Sequence, residues 1–299
     1  MKVFVTGASG FVGSAIVQEL LGAGHRVLGL ARTDSAAEKL LRAGAGVHRG
    51  NLDDLESMAA GAAECDAVIH TAFNHDFTRF KANCEDDRKV ISALGGALAG
   101  SGRPLVVTSG VGLLNYGRLV TEDDTPAGSD TTPRAASEEA AAAAAVQGVN
   151  AYIVRLPPTV HGAGDHGFVP VIIQTAKEKG RSVYMGEGGN RWPAVHRFDA
   201  AVLYRLIVEK QPDQKIFHAV AEEGIPFRQI AEAVGNGLHL PVAAEDAVGA
   251  EAHFGWFKHF AMFDCPASSE RTRRTLGWQP VHPTLSEDLA SGAYFSKTE

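Results

Sequence analysis

The chain is 299 residues long, 45% apolar and 21% charged, which is enough to bury a sizeable core and excludes disordered or fibrous classes. A net charge of −7 without any block of Lys or Arg argues against nucleic acid or an anionic membrane as partner, since both need clustered cations. Three cysteines (Cys65, Cys84, Cys265) without CxxC spacing argue against a disulfide framework or zinc site and fit a reducing cytoplasm. No run approaches the roughly 18 apolar residues of a membrane span. Met1-Lys2 leads straight into a strand pattern with no signal-peptide core before it.

In chain order, Val3-Phe4-Val5 reads as a buried strand. Phe11 to Leu21 reads as an amphipathic helix ended by Gly22 and Gly24. Arg26 to Leu30 is a second strand, and Ser35-Ala-Ala-Glu38 has the spacing of a capping box that would open a second helix. Further short strands are expected at 46–48, 67–70, 105–108 and 151–155, with helices between them, and the alanine run 140–145 reads as a helix against the sheet. Strands separated by helices of this length predict parallel βαβ units, hence an α/β Rossmann-type doubly wound parallel sheet. The expected dinucleotide-binding domain is 1–160. Residues 195–220, with a helix from Asp199 to Glu209 and a strand at 216–218, are expected to return to it. The remainder of 161–299 is expected to be a smaller substrate-binding lobe.

Thr6-Gly7-Ala8-Ser9-Gly10-Phe11-Val12-Gly13 joins the first strand to the first helix with GxxGxxG spacing. Gly7 permits a tight turn, Gly10 lets backbone approach a pyrophosphate, and Gly13 lets helix and strand pack closely. Free N–H groups at the helix start then face the phosphates. At the end of the second strand, where an NAD enzyme usually carries an acid for the ribose, the chain reads Leu30-Ala31-Arg32-Thr33. Arg32, with Thr33 beside it, suits a 2′-phosphate, so NADP(H) is favoured. NAD(H) stays open because Asp34 could reach the ribose.

The glycine loop is followed by His70-Thr71-Ala72, Thr108-Ser109-Gly110, Arg155-Leu156-Pro157-Pro158 and Val195-His196-Arg197-Phe198-Asp199. In this order the motifs resemble the extended short-chain dehydrogenase/reductases, closest to the atypical NAD-dependent epimerase/dehydratase-like group. The resemblance implies that Asn51 and Leu52 flank the adenine, and that Thr71 and Ala72 line the ribose and diphosphate path. It also implies that Thr108 and Leu156, Pro157 and Pro158 border the nicotinamide, and that the 195–199 segment ties the two lobes together.

The family's carbonyl chemistry uses Tyr-x-x-x-Lys with a nearby serine. This chain departs from it: no tyrosine and no lysine stand between Thr121 and Gln147. With Glu138 matched to the family's glutamate, Arg134 takes the lysine place and Asp130 the tyrosine place. Ser109 is the candidate serine, although another register puts Gly110 there. Tyr116 is the nearby phenol, and Thr108 or water are further candidates to protonate an alkoxide. An arginine can orient a ribose but not give up a proton near neutral pH. Phe73, Asn74, Phe168, Met185 and Trp192 could line a substrate pocket at the carboxyl ends of the strands or equally be lobe core, and His161 could face the substrate or equally be a polar loop residue. No metal is expected, since the 12 histidines show neither HxxxH nor HExxH spacing.

Three functions are thereby expected in order. The first is an NADP(H)-dependent oxidoreductase acting on a small, largely apolar carbonyl or alcohol. The second is a nucleotide-sugar epimerase or dehydratase, for which Lys177, Arg181 and Arg191 could hold a diphosphate. The third is a non-catalytic dinucleotide sensor. A homodimer is compatible with each.

Overall fold

A computed structural model describes residues 1–295. Its first half alternates strand and helix: β1 (Lys2–Thr6), α1 (Phe11–Gly22), β2 (Arg26–Ala31), α2 (Asp34–Arg42), β3 (Gly46–Arg49), α3 (Leu55–Ala63), β4 (Ala67–His70), α4 (Phe80–Leu98), β5 (Pro104–Gly110), α5 (Ala136–Val146) and β6 (Asn150–Leu156). There follow β7 (Thr159–His161), α6 (Phe168–Lys179), β8 (Ser182–Met185), β9 (Arg191–His196), α7 (Arg197–Lys210), β10 (Ile216–His218), β11 (Glu222–Pro226), α8 (Phe227–Leu238), β12 (Val242–Glu245), α9 (Ala247–Phe254), α10 (Lys258–Ala261), α11 (Glu270–Leu276) and α12 (Leu285–Ala290).

Seven strands form one parallel sheet in the order β3-β2-β1-β4-β5-β6-β10. Its central strands are buried on both faces, so they read as unbroken apolar runs rather than alternating ones. Ile16, Leu20, Leu40, Leu203 and Ile207 from α1, α2 and α7 cover one face. Met58, Ile91, Leu94, Ala141 and Ala144 from α3, α4 and α5 cover the other. The alanines of α5 have a steric purpose: a Cβ on Gly95 would stand 2.9 Å from that of Ala144, so α4 and α5 approach closely because both residues are small. Strand order reverses between β1 and β4, and such a switch point opens a crevice at the carboxyl ends of the strands. A third core, built around Ile172, Trp192, Phe227, Phe254 and Phe257, belongs to α6, α8, α9 and α12 with β8, β9 and β11.

Two local readings differ from the sequence expectation. Helix α2 already begins at Asp34, and its cap is Thr33, whose Oγ1 accepts from the Ala36 amide at 3.2 Å; Ser35 lies inside the first turn. The segment expected as a helix from Asp199 starts two residues earlier, at Arg197, with His196 as its cap. Asp199 accepts from the amides of Val281 and His282 and from the His282 ring, so it anchors α7 to the C-terminal segment.

Candidate functional site

The loop between β1 and α1 lies at the switch point. Gly7 has φ +68°, and a Cβ there would sit 2.7 Å from Thr71 Oγ1 and 2.8 Å from the Ala72 nitrogen. Thr71 in turn donates to the Thr6 carbonyl at 2.8 Å, which holds the ends of β1 and β4 together. A Cβ on Gly13 would meet the Gly7 carbonyl oxygen at 2.0 Å, so the helix packs on the loop only because that side chain is missing. Gly10 is different. Its nearest neighbour is the Gly7 oxygen at 3.1 Å, and the rest of its Cβ position is open. It caps α1 in extended conformation with no side-chain cap, so the first-turn amides of Phe11, Val12 and Gly13 have no intrahelical acceptor. Ser9 stands half-buried beside them.

At the end of β2, Arg32 is exposed and makes no ion pair or hydrogen bond among the described residues. Asp34 is taken by Arg49 at 2.6 Å. The Thr33 oxygen accepts in the α2 cap but its proton is free to be donated. Asn51, after β3, accepts the Asp53 and Asp54 amides at 2.8 and 3.1 Å, shaping the turn into α3, while Leu52 packs on the second core.

A buried polar chain runs beneath the crevice. Thr6 Oγ1 meets His70 Nδ1 at 2.7 Å, and His70 Nε2 meets Asp87 Oδ1 at 2.8 Å. Arg134 Nη1 donates to Asp87 Oδ2 at 2.9 Å, and Ser137 bonds both. Arg134 Nη2 donates to the Thr108 carbonyl at 2.9 Å, and its guanidinium lies 4.2 Å from the centre of the Phe73 ring. Burial pushes the Asp87 carboxyl up, but His70, Arg134 and Ser137 outweigh it and hold it below the usual carboxylate range. The arginine standing where the family lysine is expected is thus fixed on three sides, its Nε left for something else.

Successive residues of β5 point to opposite faces. The Thr108 hydroxyl bonds Tyr204 of α7 at 2.7 Å. Ser109 points the other way and donates to Glu138 at 2.7 Å. Glu138 is itself held bidentately by the fully buried Arg155, at 2.8 Å on each arm. Ser109 is therefore part of a structural ion-pair knot and does not share a face with Thr108. Tyr116 is 44% exposed on the loop after β5, and its phenol donates to the Thr125 carbonyl at 2.7 Å. Tyr204 is the phenol nearest this region, and burial drives its pKa up. Leu156, followed by Pro157 and Pro158, lies beside Gly110 at the end of β6.

Of the expected pocket residues, Phe73 and Phe168 are joined through two intervening rings, Phe80 and Phe77. Phe77 is stacked with Phe80 (5.8 Å), which is edge-on to Phe73 (6.2 Å), and lies 6.4 Å from Phe168. Trp256 (5.6 Å) and Phe260 (5.3 Å) complete this aromatic cluster. Asn74 shapes its turn, accepting the Asp76 amide at 3.1 Å. Met185 is half-buried against the third core. Two residues fall elsewhere. Trp192 is fully buried between Phe168, Phe227 and Phe257, so neither ring face is open to a substrate. His161 is fully buried with Nδ1 2.6 Å from Asp288, because β7 turns its side chain into the interior. Sequence reasoning missed Asp87, whose position on the inner face of α4 was legible, and Phe77, Trp256 and Phe260. Trp256 and Phe260 stand one helical turn apart and touch, but nothing local in the sequence pairs them with Phe77, which comes from a distant segment.

Among the described residues no group of three His, Cys, Asp or Glu could hold a metal, and no helix is long and apolar enough to cross a membrane.

Residues 3–94 match the NAD dependent epimerase/dehydratase family. A Schizosaccharomyces pombe protein of unassigned activity is 50% identical over 99% of this chain and 100% of its own length. The 2-alkyl-3-oxoalkanoate reductase of Stenotrophomonas maltophilia is 31% identical over 70% of this chain and 66% of its own. The fold is shared with the dTDP-glucose 4,6-dehydratase DesIV of Streptomyces venezuelae, solved with NAD bound, at TM-score 0.77 and 20% identity, over 98% of this chain and 96% of that one. On sequence, sheet order and glycine loop together, this chain belongs to the NAD-dependent epimerase/dehydratase family of Rossmann-fold, nicotinamide-dinucleotide proteins.

Proposed function

We propose that this protein is an NADP(H)-dependent oxidoreductase that moves hydride to or from a small, largely apolar carbonyl or alcohol without a Tyr-Lys pair. The observation that carries this reading is the open cradle at Gly10, where uncapped helix amides stand at the switch point of the sheet. The residues present fit a dinucleotide. Amides of Ser9–Val12 would hold its pyrophosphate, and Arg32 with Thr33 its 2′-phosphate. Asn51 and Leu52 would flank the adenine, with Thr71 and Ala72 along the path between. Thr108, Leu156, Pro157 and Pro158 would border the nicotinamide. The unpaired Arg32, with Asp34 already claimed by Arg49, favours NADP(H) over NAD(H).

When bound, the cofactor supplies or accepts the hydride. The chain's own part is orientation and charge. Arg134, fixed by Asp87, the Thr108 carbonyl and Phe73, would present its free Nε to the nicotinamide-side ribose. Thr108, backed by Tyr204, would donate a hydrogen bond to the developing alkoxide, and water would complete the protonation. Ser109 and Tyr116 support this role poorly, since their hydroxyl protons go to Glu138 and Thr125. A nucleotide-sugar substrate fits less well. Arg191 is bound to Asp264 at 2.9 and 3.0 Å, and Arg181 to Glu245 at 2.5 Å, leaving little cationic surface for a second diphosphate.

The test is NADPH oxidation against a panel of small ketones, aldehydes and quinones. Turnover with at least one class is expected. NADPH binding without any turnover would favour a dinucleotide sensor, and neither binding nor turnover would end the reading.

A further inference from the structure

Arg197 is the first residue of α7, and its charge has no counter-ion in this structure. Its guanidinium carbon lies 5.1 Å from the centre of the Phe11 ring and 4.7 Å from that of Phe198. Its Nε is buried and has no hydrogen-bond partner. Among the described residues it makes no ion pair, and burial alone lowers its pKa, with no acid acting against it. The contrast with its peers is sharp: Arg134, Arg155, Arg191 and Arg205 each face a carboxylate. Asp199, in the same helical turn, is occupied by Val281 and His282. The position is also unfavourable in itself, because a helix N-terminus repels a cation. A half-buried, unpaired cation in the first turn of a helix destabilises the free protein. Its placement therefore calls for an anion from outside.

The neighbour that identifies this anion is Phe11. It is the first residue of α1, immediately after Gly10, and its ring has Arg197 on one side and His166 on another, 5.8 Å away. Arg197 thus packs on the side chain of the residue that follows the glycine loop, but comes from a segment nearly two hundred residues further along the chain.

We propose that Arg197 binds the diphosphate of the dinucleotide, supplying the counter-charge that the glycine loop's neutral amides lack. The inference rests on the dinucleotide reading of the loop. It assigns to α7 a direct part in holding the cofactor, and it predicts that cofactor binding and the docking of α7 against α1 are coupled. An anionic group on the substrate has the same chemistry, and the test separates the two sources.

The experiment compares the parent with Arg197→Met and Arg197→Lys, titrating NADPH, ADP and adenosine 2′-monophosphate and recording melting temperature without ligand. Losing one charge-assisted contact to phosphate typically weakens binding roughly tenfold or more. Arg197→Met should lose this much for NADPH and ADP and nothing for adenosine 2′-monophosphate, which has no diphosphate. Arg197→Lys should recover part of the loss. Without ligand, Arg197→Met should melt no lower than the parent, because an uncompensated cation has gone. Unchanged NADPH and ADP affinity in Arg197→Met would overturn the proposal, leaving the cation to a substrate anion. A lower melting temperature with unchanged affinity would make Arg197 a packing residue. A parent that binds neither NADPH nor NADH would instead refute the dinucleotide reading beneath it.

Discussion

Asp87 is the residue on which the polar chain under the crevice turns, and Asp87→Asn tests whether that chain is one unit. The carboxylate is 2% exposed and meets His70 at 2.8 Å and Arg134 at 2.9 Å. Neutralising it leaves the Arg134 cation, itself only 16% exposed, with Ser137, the Thr108 carbonyl and the Phe73 ring as its remaining partners. Removing one partner of a buried pair destabilises by roughly 3–5 kcal/mol. Arg134 keeps some contact with water and the asparagine oxygen can still accept from Ser137, so the low end, about 3 kcal/mol, is expected. Urea unfolding reads this as a lower midpoint with unchanged slope. The double variant with Arg134→Met should be less damaged than the sum of the singles, by about 1 kcal/mol or more, since the two residues touch. A loss under about 1 kcal/mol for Asp87→Asn, or additive singles, would refute the reasoning and leave Arg134 positioned by Ser137, Thr108 and Phe73 alone.

The glycines of the loop should separate by role. Gly13→Ala, whose Cβ would fall 2.0 Å from the Gly7 oxygen, should lower the melting temperature clearly, whereas Gly10→Ala, with a single contact at 3.1 Å, should fold near normally yet bind dinucleotide weakly. Thermal melts and NADPH titration check both, and equal melting losses would contradict the assignment. Acid stability should depend on His218, which burial, reinforced by Arg155, drives down to about 3. The unfolded chain takes up that proton near pH 6.5 while the folded one refuses it until about pH 3, so stability is complete above 6.5 and falls as pH drops between these values. At pH 5 the loss is about 2 kcal/mol relative to pH 8. Unfolding measured in the His218→Gln variant should show a correspondingly shallower fall.

Much of the fold was legible because parallel strands buried on both faces leave continuous apolar runs, such as Val3-Phe4-Val5 and Leu105-Val106-Val107, and because the glycine loop marks the first crossover. The loop was readable residue by residue: Gly7 takes a left-handed φ and Gly13 a contact no side chain could share. Side-chain direction was less so. Ser109 looked like a catalytic serine beside Thr108, but strand alternation sends it to Glu138 and Arg155. Trp192 and His161 looked like pocket residues because aromatics near strand ends line both pockets and cores, and only the third dimension distinguishes them. Arg134 was found by its spacing from Glu138, yet its buried partner Asp87 lies 47 positions earlier and no local pattern links them. Arg197 is the converse case, since what marks it is the partner it does not have, and a sequence cannot display that.

The central claim, a dinucleotide site with NADP(H) preference at the glycine loop, is tested most directly by titrating NADPH and NADH into the protein and its Arg32→Ala variant, following cofactor fluorescence. The account predicts tighter binding of NADPH by the parent. It also predicts a loss of roughly tenfold or more for NADPH in Arg32→Ala, the size of one charge-assisted phosphate contact, with NADH little changed. Tighter NADH binding in the parent, or equal losses for both cofactors, would contradict it.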